Sequence, residues 1–195
     1  YTLADTVVPN FNVTAGGVLT AGTVTLPGAD NSAHEPDNSD SDAVAAIDSS
    51  LFRAAPPQPY DSAASIGPRS AQDTDWYCFN ALAPDRFVVT VRGTLTLEDN
   101  TVVDSPWLDP MVSFWRVSSS SGQPTGRLAE NDDAPGLGLN SSLDTGEVGG
   151  DGRYCVVVST YGDASWTGAG QTSAGTYALH LAMGNCRPLL TVTLP

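Results

Sequence analysis

Apolar and polar residues alternate in short runs along most of this chain, and the runs are bounded by Gly, Pro, Asn and Asp. The three-to-four spacing of an amphipathic helix is almost absent. In RFVVTVRG, residues 86–93, Phe87, Val89 and Val91 fall on one face; in GTYALHLA, residues 175–182, Tyr177, Leu179 and Leu181 do the same. The pattern predicts strands over 18–26, 76–82, 86–97, 111–117, 153–159, 175–183 and 189–194, with at most one or two helical turns over 42–52. Two sheets that bury such faces against each other form an antiparallel sandwich. The expected fold is all-β: a two-sheet, jelly-roll-like β-sandwich with long acidic loops.

Those loops are the polar connections at 27–41, 53–75, 98–110, 118–126, 131–152 and 160–174. Connections of this length in a compact domain are usually functional or held by something. Segment 53–70 carries four prolines and reads as extended chain. The length suits one domain with extra arms. We divide it into an N-terminal strand or arm (1–33), a sandwich (34–183) and a C-terminal strand or arm (184–195). The pentapeptide TVTLP occurs at 23–27 and again at 191–195. It is either a coincidence between Thr/Val-rich strands or a sign that the chain is one unit of a tandem array or polymer.

Charge excludes some partners. The net charge is −14, and all eight cations are Arg. Nucleic acid and anionic membrane surfaces want a basic face, and no hydrophobic run approaches the length of a membrane span. The wealth of Ser, Thr, Gly and Asp, with no Lys and few Cys, points to a secreted bacterial protein whose leader has been removed. Asn12-Val13-Thr14 and Asn140-Ser141-Ser142 match the glycosylation pattern. Cys78, Cys155 and Cys186 allow one internal disulfide and leave an odd thiol. They form no C-x-x-C pair or Cys/His cluster, which argues against zinc. Cys155 and Cys186 bracket a predicted terminal hairpin, and that pair is favoured.

Catalysis finds little support. The two histidines are His34, in an acidic stretch, and His180, on the strand face opposite Tyr177, Leu179 and Leu181. No G-x-S-x-G elbow, Walker loop or dinucleotide fingerprint occurs. A glycosidase needs only two carboxylates, but 22 acidic residues are more simply surface charge and ion ligands. The expected protein is not an enzyme.

The stretch HEPDNSDSD, residues 34–42, crowds Glu35, Asp37, Asp40 and Asp42 into nine residues. It is either a solvated linker or one wall of a cation site. A second group, Glu130, Asn131, Asp132 and Asp133, precedes a Gly/Pro turn and reads as side chains bonding nearby backbone N–H groups. Neither group fits the EF-hand loop.

Four pieces occur in a telling order: EPDNSDSDA at 35–43, DTDWYCF at 73–79, AENDDAPGLGLNSSL at 129–143, and GRYCVVVSTYGDASWTGAGQTSAGTYALHL at 152–181. Together they resemble the bacterial pre-peptidase C-terminal domain family, secreted β-sandwich modules related to clostridial collagen-binding domains. The likeness covers roughly residues 34–183. The chain departs from the family where Glu35-Pro36-Asp37-Asn38 replaces Glu-Pro-Asn-Asp, and where Cys78 and Cys155 stand at usually polar strand positions. The resemblance decides the acidic stretch in favour of calcium. It implies a site built from Glu35, Asp37, Asn38 and Asp40, completed by Asp73 and Asp75, which matches the many oxygens calcium requires.

The implied function is a secreted, non-catalytic, calcium-stabilised module that binds an extracellular polymer, protein or polysaccharide, or a partner domain. The loop aromatics Tyr60, Trp107, Tyr161 and Trp166 are the expected contacts, since flat rings stack on sugar faces and pack in peptide grooves. The alternative is self-assembly: a subunit of an extracellular fibre or array, with an arm such as YTLADTVVPNFNV adding a strand to a neighbour's open sheet edge.

Overall fold

A computed structural model describes residues 47–67, 72–97, 99–118, 120–121 and 123–184. A single helical turn, α1 (Ser50–Arg53), is followed by nine strands: β1 (Tyr60–Ile66), β2 (Asp75–Ala81), β3 (Arg86–Thr96), β4 (Val102–Asp104), β5 (Pro110–Val117), β6 (Pro124–Asn131), β7 (Ser141–Glu147), β8 (Gly152–Thr160) and β9 (Gly175–Met183). They form two antiparallel sheets. One runs β2-β8-β5-β6; the other runs β1-β9-β3, with β3 paired along its first half by β7 and near its end by β4. The all-β sandwich is as expected.

The alternation explains the core. Phe87, Val89, Val91, Tyr177, Leu179 and Leu181 are all buried between the sheets. Phe79 is the hub of that core, with its ring 4.8 Å from Phe87, 5.4 Å from Phe52 and 6.3 Å from Phe114. Burying each such ring contributes about 1.5–3 kcal/mol. His180 points outward, and its Nδ1 lies 2.6 Å from Asp61 Oδ1.

β1, β4 and β7 lie where long loops were expected, and β6 begins inside one of those loops and runs beyond it. β1 (YDSAASI) and β7 (SSLDTGE) are built from small and polar residues, and β6 (PTGRLAEN) has few apolar side chains. β4 is three residues long and wholly exposed. Such strands carry little alternating hydrophobic signal: Ile66 of β1 and Leu143 of β7 reach the core, and the rest is held mainly by pairing with a neighbour. The strands predicted at 18–26 and 189–194 lie outside the described residues.

The disulfide also differs from expectation. Cys78 bonds Cys155, not Cys186, because the antiparallel register of β2 and β8 sets Cys78 opposite Cys155. Cys186 lies outside the described residues. The bond faces away from the main core, in a second apolar cluster on the outer side of the four-stranded sheet. That cluster also holds Trp76, Val117, Val157 and Trp166, with Met111 and Trp115 at its margin.

Register brings the long connections to one end of the sandwich. Asp75 faces Val158, Val158 faces Val112, and Val112 faces Asn131, so the start of β2, the end of β8, the start of β5 and the end of β6 lie side by side. Asn140, also here, is buried, and its Oδ1 accepts the Gly93 N–H at 2.9 Å. That engagement makes its glycosylation pattern a chance match.

Candidate metal centre

β5 and β6 are antiparallel neighbours, so the residue before one meets the residues after the other. Asp109 precedes Pro110, and Asp132 and Asp133 follow Asn131; one carboxylate oxygen from each of the three lies within 4.8 Å of the others. The backbone around them is fixed. The Asp109 carbonyl accepts the Tyr161 N–H at 2.9 Å, and its own N–H donates to Ser173 Oγ at 3.2 Å. The buried Ser141 hydroxyl lies against the carbonyls of Pro110, Asn131 and Asp132, tying β5, β6 and β7 together. Beyond Asp133 the chain turns back through Gly136 and Gly138, both with positive φ, and closes with Ala134 N–H donating to Asn140 O at 3.0 Å.

The electrostatics are those of a site that wants positive charge. Burial, and then the charges of Asp132 and Asp133, push Asp109 up to about 6. Burial and the Asp133 charge raise Asp132 as well. Asp109 Oδ1 and Asp132 Oδ1 are both buried and receive no hydrogen bond. Carboxylates crowded together without donors either hold protons or share a cation. An all-oxygen set suits a hard divalent ion, and three carboxylates supply part of the six to eight oxygens that calcium takes.

The site opens on a cleft of about 480 Å³ lined by Met111, Arg127, Glu130, Asn131, Asp132, Asp133 and Ala164. Arg127 crosses it, paired with Glu130 at 2.8 Å, with its guanidinium 5.9 Å from the Trp115 ring and 6.0 Å from that of Trp166. The expectation that the 130–133 acids bond nearby N–H groups needs correction. Asn131 does so, accepting Ser142 N–H at 3.2 Å, while Asp132 keeps a buried oxygen without a donor.

Of the residues implied as calcium ligands, Asp73 and Asp75 are wholly buried at the start of β2. Asp73 accepts the Gly67 N–H, and its carbonyl accepts from Gln171 Nε2. Asp75 accepts the Tyr177 hydroxyl, whose oxygen is 2.6 Å from that of Tyr77. Burial and the Asp75 charge raise both tyrosines, so their hydroxyls stay protonated. Glu35, Asp37, Asn38 and Asp40 lie outside the described residues.

The aromatics divide. Trp107 and Tyr161 are 55% and 53% exposed, and they flank Asp109, one two residues before it and the other hydrogen-bonded to its carbonyl. Tyr60 is not in a loop; it opens β1, half-buried, with its ring 6.2 Å from that of Tyr77. Trp166 is buried, so its expected role as a contact is corrected: the residue turns inward at a positive φ of 57° and joins the outer cluster. Asp109 was missed altogether. Its only signal was a place beside Pro in DSPWLDP, and its partners are more than twenty residues away.

No family model matches the sequence, and no curated protein does. Among solved structures, the chain is similar to the pre-peptidase C-terminal domain of a collagenase from Bacillus anthracis, at 16% identity and a TM-score of 0.39, over 63% of this chain and 87% of that one. It is also similar to a periplasmic inhibitor of g-type lysozyme from Aeromonas hydrophila, at 13% identity and a TM-score of 0.31, over 65% of this chain and 86% of that one. A surface-associated copper-binding protein of Methylomicrobium album BG8 matches at 10% identity and a TM-score of 0.36, over 66% and 94%. The first of these carries the family name that the sequence motifs resemble.

Proposed function

We propose that this chain is a secreted, non-catalytic β-sandwich module that binds calcium at its loop end and engages an extracellular polymer or partner domain beside the ion. The observation that carries the reading is the carboxylate trio of Asp109, Asp132 and Asp133, which has two buried oxygens without donors. Exposed Trp107 and Tyr161 on either side of Asp109 supply the flat apolar surface that a sugar ring or a peptide would need. The buried Cys78–Cys155 bond suits an oxidising compartment. We extend the proposal to a second ion, held by Asp73 and Asp75 together with Glu35, Asp37, Asn38 and Asp40, on the strength of the motif resemblance alone.

The test is a thermal melt of metal-stripped protein with millimolar calcium, and with magnesium as control. A ligand that binds only the folded state must raise the melting temperature. A calcium-specific rise that Asp132→Asn removes assigns the ion to the trio, and one that Asp40→Asn removes assigns it to the 34–42 stretch. Absence of any rise overturns the calcium reading.

A further inference from the structure

We infer that the outer edge of β2 is a docking surface for the chain's own residues 43–46, which lead into Ile47 as a strand parallel to β2. The inference is independent of the calcium reading above. It starts from a conflict between place and burial. Among the described residues β2 is the outermost strand on its side of the four-stranded sheet, so half of its backbone groups turn away from β8 towards an edge. Yet Trp76, Tyr77, Cys78 and Phe79 are 6%, 1%, 0% and 2% exposed, and Asp73, Thr74 and Asp75 are wholly buried. The edge strands β1, β4 and β6 all keep exposed residues. Backbone N–H and C=O groups buried at an edge need partners.

Two hydrogen bonds point to the partner and its direction. Ile47 N–H donates to Cys78 O at 2.7 Å, and Asn80 N–H donates to Ser49 Oγ at 2.9 Å. Cys78 and Asn80 therefore turn their backbone groups outward, and by the alternation of a strand Trp76 and Thr74 do the same. As the chain advances from 47 to 49 its contact advances from 78 to 80, so it runs parallel to β2. A parallel ladder carried back from this rung sets Ile47 beside Phe79, Ala45 beside Tyr77 and Ala43 beside Asp75. Ala45 N–H then donates to Trp76 O, and Ala45 O accepts the Cys78 N–H. The ladder ends at Ile47, because Ser49 Oγ takes the Asn80 donor that the next rung would use.

Side-chain size and charge agree with this register. Ile47 is buried in the core that holds Phe79, and a period of two places Ala43 and Ala45 on that same side, where small residues suit the neighbouring Tyr77 ring. Val44 falls on the side of Trp76 and the outer cluster. None of residues 43–46 carries a charge. Helical turns were expected over 42–52, but the helix begins at Ser50. A second copy could offer the same strand, but direct attachment to Ile47 gives the chain's own segment by far the higher effective concentration at this edge. Docking in cis closes the β2 edge to a strand donated by a neighbour.

The experiment is amide hydrogen exchange on the full chain, read residue by residue by NMR. The N–H groups of Ala43, Ala45 and Cys78 are expected to exchange at least about tenfold more slowly than those of Val44 and Ala46, which point away from β2. Slow exchange at all four residues from 43 to 46 means a helix, and slow exchange at none means no docking; either overturns the inference. Proline supplies a second arm, since it removes one N–H and is otherwise tolerated in an edge strand. Ala45→Pro should speed exchange at Cys78 by at least about tenfold, whereas Ala46→Pro should leave it within about twofold. Equal effects of the two variants overturn the register. If Ala45→Pro does not fold, the alternation in the native chain decides alone. Protection that fades on dilution, together with a fall in mass by light scattering, gives the edge to a second copy and overturns docking in cis.

Discussion

Asp163 and the pair Asp109 and Asp132 stand at the same end of the sandwich, and what separates them most is the supply of hydrogen-bond donors. Asp163 is completely buried, yet two hydroxyls and two backbone N–H groups point at its carboxylate. Burial pushes its pKa up, but those donors more than offset the push and hold it below the ordinary value. Asp109 and Asp132 are less buried, have oxygens that no donor reaches, and are raised. The contrast teaches that depth alone does not mark a ligand. A carboxylate saturated by donors is a structural hub; one starved of them and crowded by its own kind waits for a cation or a proton.

The largest effect that would sharpen this contrast is on stability. Replacing Asp163 by Ala removes the acceptor of four donors, two of them buried, the Ser159 hydroxyl and the Gly168 N–H, which costs about 3 kcal/mol and lowers the melting temperature by about 10 °C. Asp132→Asn in metal-free protein should cost nothing, or stabilise by up to about 1 kcal/mol, because it removes a desolvated like charge. Equal losses in the two variants, read by thermal melts in chelator, would break the comparison. Next in size is calcium. At about 100 times its Kd it should stabilise the native protein by about 2.7 kcal/mol, while Asp163→Asn, if folded, keeps most of that gain and Asp132→Asn loses it.

How much of this was legible beforehand follows the same physics. Strands with a buried alternating face, such as Phe87-Val89-Val91 and Tyr177-Leu179-Leu181, announced themselves, and so did the two-sheet class. β1, β6 and β7 did not, since small or polar side chains largely fill them, and β4 did not because it is three exposed residues long. The acids 132 and 133 were visible as a pair but read as a turn. Only the register of β5 against β6 brings Asp109 to them, and only the register of β2 against β8 pairs Cys78 with Cys155. Trp166 looked like a loop aromatic available for contact, because nothing local tells an inward-turned ring from an outward one.

A smaller effect is expected on pH dependence, and its sign differs between the two sets. Asp109 has a folded value of about 6, above its ordinary 3.8. Its contribution is therefore fully present below the ordinary value and is lost as pH rises through about 6. Metal-free protein should gain stability between pH 7 and pH 5 from this group. Asp163 is depressed, so its contribution is present above 3.8 and is lost as the pH falls below that value. Calcium must displace the Asp109 proton, and its affinity should fall by up to about tenfold per pH unit below 6. Calorimetric titration at pH 5 and pH 7 checks this, and equal affinities would remove Asp109 from the ligand set.

The smallest effect on stability is the most informative about function. Trp107 and Tyr161 are more than half exposed, and among the described residues neither ring belongs to a buried cluster. Replacing either by Ala should change stability by less than about 0.5 kcal/mol and leave calcium affinity unaltered. If the polymer or partner domain docks beside the ion, these same variants should lose binding to insoluble polysaccharide or collagen-type protein in calcium, by about tenfold or more, as stacked aromatic contacts do. Trp166→Ala gives the opposite pattern, because its ring is buried in the outer apolar cluster: lower stability, with any binding loss following from unfolding. A co-sedimentation assay run beside a thermal melt separates the two. If the exposed-ring variants bind as the native chain does, the loop end holds an ion for stability alone and the contact surface lies elsewhere on the molecule.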